Sequence, residues 1–332
     1  MKALVTGATG FIGSNLAREL LRQGYQVKAL VREDSDLRNI EGLDIQVAPG
    51  DLTQRASLDE ALAGCDVLFH VAASYSFWTP DPRAVYQTNV EGTRNILTAA
   101  RAKGISKVVY TSTESTIGIS KNERREAEEL FADPKSVAGH YKKSKCMAER
   151  VALDMCNAGL PLVVVNPTTP IGPFDVKPTP TGQLIVDFLN RRMPAYVNTG
   201  LNLVDVEDVA RGHVLALEEG RIGERYILGS QNYTLKEILG MLERITGIPA
   251  PRIRIPLWTA LGAAYVDEFL SGHVFRKRPR IPVAAVKTAG KFRHFPPAAD
   301  SKAARELGFA PSPVDLALGK AVRWFRQNGY AN

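Results

Sequence analysis

The chain opens on a regular alternation of short apolar segments and longer amphipathic ones. The apolar segments predict strands at Lys2–Thr6, Gln26–Val31, Ile45–Val47, Val67–His70, Lys107–Thr111, Leu162–Asn166 and Glu224–Leu228. Apolar residues at helical spacing predict helices between them, at Phe11–Gln23, Ser57–Leu62, Asp81–Lys103 and Ala138–Asn157. Strands that alternate with helices form a parallel sheet covered on both faces. With right-handed crossovers, we expect an α/β fold with a doubly wound, Rossmann-type parallel sheet.

The pattern changes at Pro167, where five prolines fall within 14 residues. Proline breaks helices and central strands, so we predict a loop that leaves the sheet at this point. Further helices are predicted beyond it, at Gly182–Asn190, Glu207–Leu217, Leu235–Thr246 and Val314–Asn328. We therefore expect a cofactor-binding Rossmann domain over residues 1–166. A smaller C-terminal lobe over residues 167–332 would bind the substrate and return some segments to the first domain.

Composition narrows the class of protein. The chain has 332 residues, of which 45% are apolar and 23% charged, as in ordinary globular proteins. No apolar run approaches the ~18 residues of a transmembrane helix, and the strand predicted at Lys2–Thr6 leaves no room for a signal peptide. Three scattered cysteines, Cys65, Cys146 and Cys156, are too few for a disulfide framework or a zinc site. We expect a cytoplasmic protein without a metal ion.

The net charge of +7 resides in one stretch, Phe269–Ala299, which contains no acidic residue. Its basic residues are Arg276, Lys277, Arg278, Arg280, Lys287, Lys291 and Arg293. A nucleic-acid partner is a poor interpretation, because the rest of the chain is neutral overall. The stretch fits a solvated loop, a site for an anionic substrate or a peripheral membrane contact. The neighbouring apolar segment Leu257–Leu270 could also lie on a membrane, but its composition favours a buried helix of the lobe.

A glycine-rich turn follows the first predicted strand and precedes the first helix. It reads Thr6-Gly7-Ala8-Thr9-Gly10-Phe11-Ile12-Gly13, with glycines three residues apart. Small residues let the backbone approach a pyrophosphate, and the start of the helix offers unpaired N–H groups. This context predicts a dinucleotide site over Gly7, Gly10, Phe11, Ile12 and Gly13.

The end of the second strand indicates which dinucleotide binds. Proteins that bind NAD usually carry an acidic residue there for the ribose hydroxyls, whereas this chain has Arg32, followed by Arg38. A guanidinium pairs with a 2′-phosphate, so the sequence favours NADP. Glu33 and Asp34 follow Arg32 at once, which leaves NAD open.

Tyr141 and Lys145 stand at i and i+4 in a predicted helix and share one face of it. A neighbouring cation favours the phenolate and is expected to lower the tyrosine pKa from near 10. Such a tyrosine can exchange a proton with a carbonyl or carbinol oxygen while hydride moves to or from nicotinamide. Ser112 and Thr113 follow another strand at its carboxyl end, where ligand sites of such sheets lie.

These motifs together resemble the extended short-chain dehydrogenase/reductases over nearly the whole chain. The matching segments are TGATGFIG, Asp51-Leu52, Val71-Ala72-Ala73, TNVEGTRN, TSTESTIG and YKKSK. The resemblance implies that Thr113 is the catalytic hydroxyl and Tyr141 the acid/base, while Lys145 lowers its pKa and holds the nicotinamide ribose. It also implies cofactor contacts at Asp51, Leu52, Ala72, Ala73, Asn89 and Pro167. Family members often dimerise through the helices predicted here at Asp81–Lys103 and Ala138–Asn157, so we expect a homodimer.

Two branches of the family resemble the chain more closely. The segments VRED and VVNPTTPIGP are similar to dihydroflavonol-4-reductases, while GHYKKSK, NPTTPIGPFDVKPTPTG, PAYVNTGLNLVDVEDVA and GRIGERYILG are similar to bacterial hopanoid-associated sugar epimerases. The first branch implies an NADP(H)-dependent oxidoreductase acting on a small molecule with a secondary alcohol or ketone. The second implies an epimerase that oxidises and re-reduces one carbon and retains its cofactor. A cofactor-binding regulator is disfavoured by the presence of Tyr141 and Lys145.

Several further residues have open or structural interpretations. Glu114 follows Thr113, but Ser115 stands where related dehydratases carry a second carboxylate, so elimination of water is disfavoured. The aromatic residues after the fourth strand, Tyr75, Phe77 and Trp78, either wall an apolar pocket or pack their own loop. We expect packing roles for His70 and His140.

Overall fold

The computed structural model describes residues 1–76, 78–79, 81–119, 126–271, 279, 282–290 and 293–331. Its strands are β1 Lys2–Thr6, β2 Gln26–Val31, β3 Ile45–Pro49, β4 Val67–His70, β5 Lys107–Thr111, β6 Ile117–Ile119, β7 Glu126–Phe131, β8 Leu162–Pro167, β9 Thr169–Ile171, β10 Ala195–Val197, β11 Gly200–Asp205, β12 Arg225–Leu228, β13 Gln231–Thr234 and β14 Ile253–Ile255. Its helices are α1 Phe11–Arg22, α2 Arg55–Leu62, α3 Pro82–Tyr86, α4 Gly92–Ala102, α5 Gly139–Asn157, α6 Pro180–Leu189, α7 Val206–Glu218, α8 Leu235–Thr246, α9 Leu257–Phe269, α10 Val283–Ala289, α11 Lys302–Leu307 and α12 Val314–Gln327.

Seven parallel strands form the main sheet, in the order β12-β8-β5-β4-β1-β2-β3. The chain starts at β1 and builds outward in both directions, so the order reverses between β1 and β4. Ligands of open parallel sheets bind at this reversal, beyond the carboxyl ends of the strands. The predicted doubly wound fold is confirmed.

Each face of the sheet is covered by helices with their apolar sides inward. Helices α1 and α7 contribute Leu16, Leu20 and Val209 to the core on one face. Helices α2, α4 and α5 cover the other face, where Leu58 and Ile96 are fully buried.

A second apolar core forms the C-terminal lobe. Helices α6, α8 and α12 meet there around Phe188, Leu239 and Phe325, which are almost completely buried. Small sheets of the order β13-β11-β9 and β10-β14 complete the lobe. The chain does not remain in the lobe, because β12 pairs with β8 at the edge of the main sheet.

The structure differs from the predicted elements in the helix expected at Asp81–Lys103. It consists of α3, a π-helical turn over Gln87–Glu91, and α4. Asn89 lies in the π turn with its side chain buried and bonded to residues outside the helix. A wider turn of this kind is common where a helical side chain has such a special task.

The prediction that Leu257–Leu270 is a buried helix is wrong. The segment is helical as α9, but Ala264 is its one buried residue, and Trp258 is 73% exposed. Only a narrow face of this helix is packed, because Leu257, Leu261 and Ala264 make its apolar contacts with α10. Among the described residues, no helix is long and apolar enough to cross a membrane.

Candidate active site

The glycine turn joins β1 to α1 and is shaped by close backbone packing. Gly7 has φ +74°, and a Cβ there would lie 2.7 Å from Ala72 Cα in the loop after β4. A Cβ on Gly13 would lie 2.1 Å from the Gly7 carbonyl oxygen. Gly10 is the N-cap of α1 and offers no side chain to the first N–H groups. These N–H groups and the helix dipole therefore face the cleft, as an anion such as a pyrophosphate requires.

A buried histidine ties the ends of the two central strands together. The ring of His70 lies between two threonines, with Nδ1 2.8 Å from Thr6 Oγ1 and Nε2 2.9 Å from Thr93 Oγ1. Thr6 Oγ1 also accepts a hydrogen bond from Ala72 N. Burial, aided by the charge of Lys145, lowers the pKa of His70 to about 3, so the ring is neutral. The predicted packing role of His70 is confirmed.

A second buried histidine, His213, has the same role at the neighbouring strand. It lies on α7, and its Nε2 is 2.8 Å from the hydroxyl oxygen of Thr111 at the end of β5. Its Nδ1 is 2.7 Å from the carbonyl oxygen of Val209. Burial lowers the pKa of His213 to about 4, against that hydrogen bond, which raises it. A second neutral ring thus fixes the strand end that leads to Thr113.

Asn89 lies outside the cleft and connects two segments that line it. Its Oδ1 accepts from Ser74 N at 2.7 Å, and its Nδ2 donates to Ser144 Oγ at 2.8 Å. The π turn thereby joins the loop after β4 to α5, which carries Tyr141 and Lys145. In the structure Asn89 positions the loop after β4, which lines the cleft, and is not itself among the lining residues.

The two arginines expected near the adenosine ribose are placed differently. Arg32 lines the cleft with a side chain that is 59% exposed, and its Nε lies 3.4 Å from Asp34 Oδ1. Arg38 binds Asp36 at 2.7 Å and does not line the cleft. Asp36 is close enough in sequence to capture Arg38 locally. Of these two arginines, Arg32 is therefore the one that faces the cleft.

Asp51 and Leu52 line the cleft beside Arg32. The carboxylate of Asp51 accepts hydrogen bonds from the backbone N–H and the hydroxyl of Thr53, both at 2.7 Å. Burial raises the pKa of Asp51, but these bonds and the charge of Arg32 outweigh it and leave the pKa below its ordinary value. This edge of the cleft therefore carries one anionic and one cationic group.

Tyr141 projects from the first turn of α5 into the cleft, with its ring in an edge-on contact with Tyr75 at 4.6 Å between centroids. Burial and the negative charge of Glu114 raise its pKa, against a smaller lowering by a hydrogen bond with Thr113. The structure thus differs from the lowered pKa expected for this phenol. Of the three aromatic residues after β4, Tyr75 lines the cleft, Trp78 does not, and Phe77 lies outside the described residues.

Lys145 explains this difference, because its amine is held on the strand side of α5. Lys145 Nζ donates to Tyr110 Oη at 3.0 Å and to the Thr111 carbonyl oxygen at 2.8 Å. Burial lowers the pKa of Lys145 to about 8, against the charge of Glu149, which raises it. The amine is mostly protonated at neutral pH and has one further N–H beyond the two that these bonds use.

The strand end after β5 brings hydroxyls next to Tyr141. Thr113 caps a 3₁₀ turn over Glu114–Thr116, and both Ser112 and Thr113 line the cleft. Glu114 lies between two cations, with Oε2 3.2 Å from Arg293 Nε and Oε1 3.8 Å from Lys142 Nζ. Arg293 and Lys287 are the residues of the basic stretch that lie in the described ranges of the chain, and both line the cleft.

A buried ion pair beneath Tyr141 and Lys145 is absent from the sequence prediction. Glu149, one turn beyond Lys145, contacts Arg225 at 2.6 Å, with side chains 1% and 5% exposed. Glu149 also accepts from Thr116 and Asn166, and Arg225 donates to the Thr116 carbonyl. The pair ties α5, the turn after Thr113 and β12 together. A charged residue beginning the apolar strand Arg225–Leu228 is the one signal that could have revealed it.

All these groups open onto one cleft of about 1580 Å³, which exceeds the ~300–1,000 Å³ of a typical ligand pocket. Of the predicted site residues, it brings together Gly7, Gly10, Phe11, Ile12, Gly13, Arg32, Asp51, Leu52, Ala72, Ala73, Thr113, Tyr141, Lys145 and Pro167. A dinucleotide fits the half beside α1, because Gly10 leaves the backbone N–H groups uncovered and Arg32 supplies a cation. The volume leaves room for a second molecule against the lobe.

The lobe contributes a largely apolar wall to the other half of the cleft. Its apolar members include Leu184, Met193, Tyr196, Val197, Leu201, Leu235, Ile255, Val286 and Phe295. Asp175 also lines the cleft with a buried carboxyl, which accepts hydrogen bonds from Thr179 N and Thr179 Oγ1. Burial raises the pKa of Asp175 to about 6, against those bonds, which lower it.

Fold and site define an enzyme of the short-chain dehydrogenase/reductase type. The chain belongs to the NAD dependent epimerase/dehydratase family, which it matches over residues 3–229. It is 48% identical to a candidate dihydroflavonol 4-reductase from Synechocystis sp., across 98% of this chain and 95% of that protein. It is 35% identical to sterol demethylase protein B from Methylococcus capsulatus, with 99% of each chain covered. A solved structure of a nucleoside-diphosphate-sugar epimerase from Pseudomonas aeruginosa is 26% identical, with a TM-score of 0.82 and coverage of 100% and 99%.

Proposed function

We propose that the protein is an NADP(H)-dependent oxidoreductase that interconverts a ketone and a secondary alcohol. The observation that carries this proposal is the meeting of Thr113, Tyr141 and Lys145 at the strand ends, in the same cleft as the glycine turn. A bound nicotinamide would supply or accept the hydride. The protein's own residues would then handle one proton and one oxygen atom.

Tyr141 is the acid/base of the proposed reaction. Its raised pKa keeps the phenol protonated at neutral pH, so its Oη holds the proton that a ketone oxygen needs on reduction. In this proposal the Thr113 hydroxyl would donate a hydrogen bond to the same oxygen. Lys145 would use its third N–H for the nicotinamide ribose.

NADP is the proposed cofactor because Arg32 faces the cleft where a 2′-phosphate would lie. The guanidinium is exposed, and its ion pair with Asp34 is long, at 3.4 Å. A phosphate would offer it a closer, doubly charged partner. Glycine backbone N–H groups at the start of α1 would hold the pyrophosphate.

The substrate of this proposal carries a large apolar portion. The lobe faces the cleft mainly with aliphatic and aromatic side chains, such as Leu184, Tyr196 and Val286. Such a wall would remove the apolar surface of a bound substrate from water, which favours binding by roughly 25 cal/mol for each Å² covered. Two relatives named for a dihydroflavonol and for a sterol are in keeping with this class of substrate.

An NAD(P)-dependent sugar epimerase, of the hopanoid-associated type, is the second candidate. It is favoured by a group of cations that line the cleft and would face a diphosphate, namely Lys142, Lys177, Lys287 and Arg293. Glu114 already occupies two of them, at 3.2 and 3.8 Å, which weakens this alternative.

The first experiment identifies the nucleotide that the purified protein retains and then measures NADPH and NADH binding to the stripped protein. We expect an exchangeable site that prefers NADPH. Tightly retained NAD would instead support the epimerase and contradict the role of Arg32.

The second experiment follows NADPH consumption with a panel of alicyclic and aromatic ketones. Tyr141→Phe is expected to lower kcat by a factor of about 100 or more while NADPH binding stays the same. Tyr86→Phe, a phenol outside the cleft, is the matched control. Undiminished turnover in Tyr141→Phe would refute its assignment as the acid/base.

A further inference from the structure

Helix α9 turns a broad apolar face to the outside of the protein. Trp258 is 73% exposed, Val266 60% and Tyr265 53%. At 100° per residue, these three side chains lie within about 100° of one another around the helix axis. Contiguous apolar surface of this kind on a soluble protein marks a binding surface more often than chance exposure does.

The acidic residues of α9 are turned away from this face. Glu268 accepts a hydrogen bond from Val283 N at 2.8 Å and so caps α10. Asp267 accepts from the Ser271 hydroxyl at 3.3 Å, and both carboxylates are partly buried. The exposed positions within α9 therefore bear no charge, which is the reverse of an ordinary surface helix.

Two arginines precede the apolar face in the chain, and one lysine lies beside it in space. Arg252 and Arg254 are exposed on the segment that leads into α9, on either side of Ile253, which is 64% exposed. On α10, the exposed residue Lys287 lies at the edge between the cleft and this face, since it lines the cleft and has its Nζ 5.4 Å from the centre of the Tyr265 ring. Exposed tryptophan and tyrosine bordered by arginine and lysine is the combination that binds the interface of an anionic bilayer.

The same two helices form a wall of the cleft. Ala260 of α9 and Ala285, Val286 and Ala289 of α10 line it. One side of this helix pair therefore faces the cleft, while the other side faces outward. A molecule dissolved in a membrane beneath α9 would lie next to the apolar half of the cleft.

We propose that the outer face of α9, with Arg252, Arg254 and Lys287, is a docking surface for an anionic lipid bilayer. Docking places the cleft at the membrane surface, where an apolar substrate is concentrated. The proposal concerns attachment only, and it holds whichever reaction the cleft catalyses.

Co-sedimentation of the full chain with vesicles tests it. Vesicles of phosphatidylcholine alone are compared with vesicles that contain phosphatidylglycerol as well. We expect binding to the anionic vesicles, weakened by salt, and a blue shift of tryptophan emission that Trp258→Phe removes. The double variant Trp258→Ser/Val266→Ser is expected to lower the partition coefficient at least about tenfold. Arg252→Ser/Arg254→Ser is expected to abolish most of the preference for anionic lipid.

Ile222→Ser is the matched control, because Ile222 is 50% exposed in the turn between α7 and β12, remote from α9 in the chain. It should bind vesicles like the unaltered protein. The proposal is overturned if the unaltered protein ignores both kinds of vesicle, or if Trp258→Ser/Val266→Ser binds them equally well. It is also overturned if light scattering shows a dimer that this double variant converts to a monomer, since a second copy would then cover α9.

Discussion

Arg32 is the residue whose replacement tests the cofactor assignment most directly. In Arg32→Ala, a 2′-phosphate would lose its charged partner, while the hydroxyl of NADH would lose little. Hydrogen bonds to charged groups contribute about 1.5–3 kcal/mol. The 59% exposure of Arg32 and the nearby Asp34 carboxylate place the value at the low end. A loss of about 1.5 kcal/mol corresponds to roughly a tenfold rise in the Kd for NADPH.

The assay is calorimetric titration with NADPH and NADH at one fixed ionic strength, because exposed charges are screened by salt. Asp34→Asn removes the competing carboxylate and should tighten NADPH binding. Arg38→Ala is the matched control, since Arg38 is equally exposed but bound to Asp36 at 2.7 Å outside the cleft. The reasoning is refuted if Arg32→Ala weakens both nucleotides equally or neither, or if Arg38→Ala alone weakens NADPH.

Three further predictions concern stability and are measured by urea unfolding. Arg225→Met leaves Glu149 buried without its partner and should lower the free energy of unfolding by about 3–5 kcal/mol. Adding Glu149→Gln to the same chain should restore some of this loss; if the losses of the two substitutions simply add, the reasoning is contradicted. Asp175 binds its proton more tightly in the native state, since its pKa rises from 3.8 to about 6. This contribution of Asp175 to the free energy of unfolding, up to about 3 kcal/mol, should be lost as the pH rises from 4 to 7. The stability difference between the unaltered protein and Asp175→Asn should therefore shrink over this range; parallel pH profiles would argue against it. Gly13→Ala forces a Cβ to within 2.1 Å of a backbone oxygen and should lower the free energy of unfolding by about 3 kcal/mol or more. Gly319→Ala is the control, because its Cβ would meet only the flexible end of a side chain at 3.6 Å, and it should not lower the free energy of unfolding.

The main sheet was predictable because its strands are short, apolar and separated by amphipathic helices. The bounds of β1, β2, β4 and β5 match those expected from the sequence. The small strands of the lobe were not found. β9, with Pro170 at its centre, exists because β11 pairs with it, and such pairing between distant segments leaves no local pattern.

The candidate site was predictable where its chemistry is local in sequence. The glycine turn and the Tyr141–Lys145 pair carry their spacing with them, and both line the cleft. The direction of the Tyr141 pKa was not predictable, because Tyr110 and the Thr111 carbonyl hold Lys145 from a strand more than 30 residues away. The exposure of α9 was missed for a related reason: an apolar sequence does not tell which neighbours are present to cover it.

The two neutral histidines at the strand ends have a consequence for the behaviour of the protein in acid. The lowered pKa values of His70 and His213, about 3 and about 4, keep both rings neutral in the native protein above about pH 5, whereas each would accept a proton below about pH 6.5 in the unfolded chain. Between about pH 6 and 5, unfolding therefore takes up nearly two protons at these positions, while the native protein holds up to one more at Asp175 than the unfolded chain does. Because unfolding takes up about one proton in total, the free energy of unfolding falls by about 1.4 kcal/mol for each unit by which the pH is lowered. Asp175 thus halves the acid sensitivity that the histidines impose on the strand ends.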